Sequence, residues 1–104
     1  MGPGKVQLLE LIDQHGSIRS AANAMDMSYR RAWLLLKETE DLMGAPVIIA
    51  ETGGSKGGGA ALTPLGRAVV EKYRAIEKHA TESVAADLRA LARMASGKKD
   101  KSRS

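Results

Sequence analysis

The chain has 104 residues, a length that suits one domain with a modest hydrophobic core. It contains no cysteine, which excludes a disulfide scaffold and a thiolate metal site and fits a reducing cytoplasm. No apolar run is long enough to span a bilayer, so we expect no membrane contact. The formal net charge is +4, but the nine residues from Ser96 carry +3 of it, so any field that attracts a polyanion must be local.

The first predicted helix covers Lys5–His15. Leu8, Leu11 and Ile12 recur at helical spacing, and the glycine that follows is a good C-terminal stop. The two histidines of the chain are far apart in sequence, which makes a metal site at His15 a poor interpretation. We therefore predict a supporting helix here, with no metal and no cofactor.

Two helices joined by a tight turn are predicted between Ser17 and Met43. Ser17 is a suitable N-cap for a short helix lined with alanines, and Ser28 is a suitable N-cap for a longer helix that ends near Met43. Alanines at the crossing let two helices approach closely. This is the pattern of a helix-turn-helix DNA reader, although the short helix by itself is equally typical of an ordinary core helix.

The second of these helices presents an unusual outward face. Its predicted inward positions are Ala32, Leu35 or Leu36, Thr39 and Met43. The predicted outward positions are Tyr29, Arg30, Trp33, Leu34 and Lys37, and Arg31 adds a third cation to the Ser28–Lys37 stretch, which contains no acid. Exposed apolar side chains among cations suit the major groove of DNA, which offers methyl groups, base acceptors and phosphates. The alternative is that Trp33 packs under a neighbouring loop and the arginines are merely solvated.

A short hairpin follows. Val47–Ala50 is a β-branched run that predicts a strand, and Ala60–Leu62 can pair back on it. The connection, Thr52–Gly59, is rich in glycine and carries Lys56, which suits the wing of a winged helix that approaches a phosphate backbone. A nucleotide-binding glycine loop is a poor alternative, because the lysine follows Ser55 and precedes Gly57 rather than completing a Gly-Lys-Ser/Thr motif.

A long helix is predicted from Thr63-Pro64, a strong helix start, to about Met94–Ser96. Its apolar stripe alternates spacings of four and three and includes Leu65, Val69, Tyr73, Ile76, Ala80, Val84, Leu88 and Leu91. So small a domain cannot cover this stripe, which calls for a partner, most simply a second copy. The alternative is two shorter helices that meet around Glu77–Thr81. We assign residues 1–95 to the domain and 96–104 to a disordered basic tail.

The predicted order of elements resembles a winged-helix DNA-binding domain. The segments GSIRSAANAMDMSYRRAW and TGGSKGGGAALTPLGR resemble the N-terminal domain of ModE-type molybdate-responsive transcription regulators and, more distantly, the DNA-binding domain of LysR-type regulators. The resemblance covers about Val6 to Glu77. The fold class expected is therefore mainly α with a small β-hairpin, a winged helix-turn-helix followed by a long C-terminal dimerisation helix.

The resemblance also implies roles for residues. Taken with the outward face of the second helix, which adds Lys37, the expected DNA-binding residues are Ser17, Ser28, Tyr29, Arg30, Arg31, Trp33, Lys37 and Lys56. In the family the first and last helices of the domain form the dimer contact, here Leu8, Leu11, Ile12, Val69, Tyr73, Ile76, Val84, Leu88 and Leu91. Full-length ModE regulators continue into oxyanion-binding domains, which these 104 residues do not include, so molybdate remains an expectation at the level of the family alone.

We predict from these features a homodimeric, sequence-specific DNA-binding transcription regulator that acts on a palindromic operator and is linked to molybdate metabolism. Double-stranded DNA and a second copy of the chain are its expected partners. The alternative is a protein-interaction module that uses the long helix and binds DNA weakly or without specificity. An enzyme is not expected, because no serine or histidine lies in a recognisable catalytic motif.

Overall fold

In the computed structural model, the backbone is described for residues 1–51 and 59–103, and the side chains for 1–50 and 59–96. The elements are, in chain order, α1 (Pro3–His15), α2 (Ile18–Ala24), α3 (Tyr29–Met43), β1 (Ile48–Glu51), β2 (Gly59–Leu62) and α4 (Pro64–Arg103). This order confirms the predicted winged helix-turn-helix followed by one long helix, and it rules out two shorter helices in the place of α4.

Local capping chemistry sets the boundaries of the first three helices. The Ser17 side chain accepts a hydrogen bond from the Ser20 amide at the start of α2, and Ser28 does the same for Arg31 at the start of α3. Gly16 and Gly44 end α1 and α3 with φ angles of 70° and 74°, a left-handed conformation that suits glycine. The predicted caps are thus confirmed.

The core lies among α1, α2, α3, the hairpin and the first turns of α4. Its buried members are Leu8, Leu9, Ile12, Ile18, Ala21, Ala22, Ala32, Leu36, Val47, Ile48, Ala60, Leu62 and Val69. The alanines of α2 and α3, Ala21, Ala22 and Ala32, are fully buried, as expected for two helices that approach closely. Aliphatic side chains fill most of the rest, as expected for a chain without phenylalanine.

Two hydrogen bonds hold the paired strands of the hairpin against the helices. β1 and β2 pair antiparallel with Ile48 opposite Leu62, and the Ala60 amide of β2 donates to the Gly16 carbonyl after α1 at 2.8 Å. The Glu40 carboxylate of α3 accepts from the Val47 amide at 2.9 Å. The hairpin that carries the predicted wing is therefore tied both to the end of α1 and to the predicted recognition helix.

The start of α4 is fixed against the residues that precede β1. The Thr63 hydroxyl accepts from the Gly66 amide at 3.0 Å and donates to the Pro46 carbonyl at 2.8 Å. Thr63 also donates its backbone amide to the Val47 carbonyl at 3.0 Å. This confirms the predicted N-cap and explains how the helix axis is set at its first turn.

The structure corrects several expected residue positions and settles one that was left open. Met43 is exposed rather than inward, and at the Leu35 or Leu36 position it is Leu36 that is fully buried. The expected dimer residues Leu8 and Ile12 are fully buried in the chain's own core, which Val69 also joins. Periodicity identified the apolar face of α1 correctly, but that face is already occupied within one chain, so those side chains are not available to a second copy.

The chain divides into two compact units, Met1–Tyr73 and the part of α4 from Arg74 onward. α4 continues to Arg103, so the predicted end near Met94–Ser96 was too early. The assignment of residues 96–104 to a disordered basic tail stays a prediction. One glycine inside a helix costs only about 1 kcal/mol, and the lysines and arginine that follow Gly97 are good helix formers. Within the described residues, no helix is both long and apolar enough to cross a membrane.

Candidate nucleic-acid interface

The outward face of α3 forms an open groove. Its lining residues are Ser28, Arg30, Arg31, Trp33, Leu34 and Lys37, which is nearly the set that the sequence predicted to point outward. Trp33 is 39% exposed and Leu34 is 53% exposed, so that large apolar surfaces stand in water beside three cations. This exposed surface argues against the interpretation in which Trp33 packs under a neighbouring loop.

The cations of this face are free to meet a ligand. In the described part of the chain no carboxylate forms an ion pair with Arg30, Arg31 or Lys37. The nearby acid Glu38 lies 3.7 Å from the Lys5 ammonium group, which offsets its charge. The groove is thus locally positive, although the chain as a whole carries only a modest net charge.

The two aromatic residues of α3 are arranged in an ordered pair. The Tyr29 and Trp33 ring centroids lie 6.3 Å apart with an interplanar angle of 79°, an edge-to-face contact. The guanidinium carbon of Arg19, on α2, lies 4.8 Å from the centroid of the Tyr29 ring. A continuous contact therefore runs from α2 across the start of α3 to Trp33.

The two predicted serine contacts have structural tasks. Ser17 Oγ accepts from the Ser20 amide at 2.9 Å and lies 3.2 Å from the Ser20 hydroxyl, to which it donates. Ser28 Oγ accepts from the Arg31 amide at 3.1 Å, which leaves its hydroxyl hydrogen to donate elsewhere. Ser28 lies in the groove, whereas Ser17 lies at the start of the other helix.

A family model now accounts for this arrangement. The model of the bacterial regulatory helix-turn-helix proteins of the lysR family matches residues 4–67, more than half of the chain. The chain belongs to this family. In this LysR-family domain the match includes both helices of the helix-turn-helix and the hairpin, and it ends in the first turn of α4.

Curated relatives agree over the same region. The molybdenum-pterin-binding protein MopB of Rhodobacter capsulatus is 44% identical over 77 residues, which are 74% of this chain and 28% of that protein. The molybdenum transport protein ModE of Azotobacter vinelandii is 40% identical over 73 residues, 70% of this chain and 27% of that protein. The LysR-family chain thus spans little more than a quarter of the length of these relatives.

A solved structure supports the fold. A DNA complex of the CbnR DNA-binding domain superposes with a TM-score of 0.66, and the alignment covers 88% of this chain and 99% of that one. The sequence identity is 20%, so the likeness bears on the fold alone. It confirms the winged helix-turn-helix with a long C-terminal helix.

The structure gathers most of the predicted site residues on one face. Tyr29 stands beside Trp33, and the remaining α3 residues line the groove. Lys56 and the tip of the wing lie outside the described residues. Arg19 was missed, because helical spacing orders residues along one helix but does not show which side chains meet between two helices. In the sequence it stood out only as a cation at the second position of α2.

Proposed function

We propose that this LysR-family chain is a sequence-specific, DNA-binding transcription regulator. The single observation that carries the proposal is the outward face of α3, where three cations that form no ion pair with the described residues border exposed Trp33 and Leu34. A solvated helix face has no need of a large apolar surface, but a major groove offers thymine methyls beside base acceptors and phosphates. The fold presents that face on the second helix of a helix-turn-helix, the element that reads bases in such proteins.

The chemistry of each side chain suggests its part. Arg30 or Arg31 pairs bidentately with the O6 and N7 atoms of guanine. Trp33 and Leu34 contact thymine methyl groups or sugars, and Lys37 neutralises a phosphate. Tyr29 and the amides at the start of α3 hold the backbone beside the groove. No step of this function requires catalysis, a metal ion or another cofactor.

We further propose that the regulator works as a homodimer in the cytoplasm. The part of α4 beyond Arg74 leaves Ile76, Val84, Leu88 and Leu91 each more than half exposed, which supports a second copy packed on the stripe. Two-fold symmetry then requires a palindromic operator with half-sites about 34 Å apart, or a multiple of that distance. The names of the relatives MopB and ModE favour an operator that belongs to molybdate metabolism.

A binding selection on random duplex DNA tests the proposal. We expect a palindromic winner that binds about 10³-fold or more tightly than random DNA at physiological salt. Addition of molybdate to the same titration tests whether this chain responds to the anion directly. Weak binding with no enriched sequence would refute the proposal of a specific reader.

Arg30 provides the first test at residue level. The Arg30→Ala variant should lose about 1–3 kcal/mol of binding free energy and should relax specificity at one base pair if the side chain reads guanine. A titration against operators substituted at each position measures this. Exposed Arg89 on α4 is the matched control, since Arg89→Ala removes the same charge away from the groove. An equal loss on every duplex would instead make Arg30 a phosphate contact.

A second candidate function is favoured by the same apolar stripe on α4, which would also suit a protein partner. In that case the long helix is the working surface and DNA binding is incidental. Double charge reversal of Arg30 and Arg31 distinguishes the two: it should abolish DNA binding and leave a complex mediated by α4 intact. Size-exclusion chromatography with light scattering gives the second readout.

A further inference from the structure

Arg19 is the one cation of the helix-turn-helix that the groove on α3 does not include. It lies on the second residue of α2 and is exposed. No ion pair engages it among the described residues. Its recorded contact is with an aromatic ring, that of Tyr29, 4.8 Å from the guanidinium carbon.

The contact with the Tyr29 ring determines the position of the Arg19 guanidinium. Tyr29 is the first residue of α3, so the Arg19 guanidinium is held beside the amino-terminal end of the recognition helix. When this end of a helix enters a major groove about 12 Å wide, a cation at its flank faces the phosphate wall of the groove rather than the bases. A guanidinium that covers a ring also keeps the in-plane N–H groups that bind a phosphate in two places.

From this geometry we propose that Arg19 is a DNA phosphate contact, held in position by the ring of Tyr29. The inference rests on the proposed function of the α3 face and adds a contact from α2. The Tyr29 ring has two tasks in this arrangement: it orients Arg19 on one side and meets Trp33 at 6.3 Å on the other. The phosphate contact and the base-reading aromatic face are thereby set relative to each other by one side chain.

The salt dependence of binding tests the contact. Each neutralised phosphate adds about 0.9 to the slope of log affinity against log salt. From 50 to 200 mM salt, one contact therefore weakens binding by about 3.5-fold, and two symmetric contacts weaken it by about 12-fold. Arg19→Ala should lower the slope by about 0.9 per bound chain and should weaken all duplexes alike. Arg89→Ala, which removes an arginine on α4, should leave the slope unchanged.

Two further variants separate contact from mere charge. Arg19→Lys keeps the charge without the planar fork, so we expect it to keep most of the slope and lose affinity. Tyr29→Leu removes the ring and keeps Arg19. We expect this variant to bind DNA more weakly and to retain part of the contribution of Arg19 to the salt slope. Thermal melting of each variant, monitored by circular dichroism, identifies any loss of folding, which is not expected for an exposed arginine.

Failure of the Arg19 contact can be distinguished from failure of the proposed function. The slopes are measured on both the selected duplex and a random duplex, because phosphates are present in each. If the wild type shows no preferred sequence, the proposed function fails, but the comparison of Arg19→Ala with Arg89→Ala still decides the contact. Equal slopes for the wild type and Arg19→Ala on both duplexes would overturn the inference and leave Arg19 as a brace for Tyr29.

Discussion

Gly66 occupies a position where a single methyl group has a large effect. A Cβ atom built on this residue would lie 2.1 Å from the Val47 carbonyl oxygen and 3.0 Å from its carbonyl carbon. Both contacts are to backbone, so no side-chain rotation relieves them. Gly66→Ala must therefore push the first turn of α4 away from the residue that precedes β1.

The cost follows from three contributions. Overpacking of this kind costs about 1–3 kcal/mol, and the shortness of the clash places Gly66→Ala toward the upper end. The shift also strains the hydrogen bond that the Thr63 amide donates to the same Val47 oxygen, worth about 1 kcal/mol. Alanine regains about 1 kcal/mol of helix propensity. We expect a net loss of about 2–3 kcal/mol, which lowers the melting temperature of a domain this small by roughly 8–24 °C.

Gly4 provides the matched control for this prediction. It also lies in a helix, α1, but a Cβ there meets no atom within 4 Å. Gly4→Ala should be neutral or stabilise the fold by up to about 1 kcal/mol. Both variants are melted at one protein concentration, since the proposed dimerisation would make the melting temperature depend on concentration. If Gly66→Ala melts at the same temperature as Gly4→Ala, the argument from close backbone approach is refuted.

Two further predictions concern the frame around the groove, and a third concerns the proposed dimer contact on α4. Glu40→Ala should lose about 1.5–3 kcal/mol of folding stability in denaturant titrations, because the Glu40 carboxylate accepts from two backbone amides at the start of β1. The control is the exposed neighbour Asp41, whose replacement by alanine should cost little. Asp26 has a φ of 54° in the turn, so Asp26→Val should melt at a lower temperature and be about 1–2 kcal/mol less stable than Asp26→Gly. Leu88→Asp should be monomeric by light scattering, whereas Ala86→Asp, which lies off the apolar stripe, should stay dimeric. If both variants are dimeric, the apolar stripe of α4 is not the dimer contact.

The elements that local chemistry specifies were predictable from sequence. Ser28 and Gly44 mark the ends of α3 because a hydroxyl cap and a left-handed glycine act over one turn, with no need of the rest of the fold. The groove on α3 was predictable for a similar reason, since helical spacing alone places Arg30, Trp33 and Lys37 on one face.

Contacts between elements were not predictable in this way. The stripe of Leu8 and Ile12 has the same spacing whether it faces the chain's own core or a second copy. In the structure α1 packs so that both side chains lie in the chain's own core. Arg19 and Tyr29 lie on different helices, so no periodicity links them. The continuation of α4 past Gly97 shows the same limit, since a weak local breaker does not overcome good helix formers on both sides.

The capping serines stabilise the helix starts, whereas other side chains of the site are left to recognise DNA. Ser17 accepts from the Ser20 amide and donates to the Ser20 hydroxyl, so its hydrogen is already used within α2. Ser28 accepts from the Arg31 amide and keeps its hydrogen, which any phosphate or base acceptor satisfies equally well. Discrimination between base pairs must therefore come from side chains with directional or shape-dependent contacts, the arginines with Trp33 and Leu34. Because the serines are committed to the fold, they fix the register of those side chains and contribute to specificity only through that register.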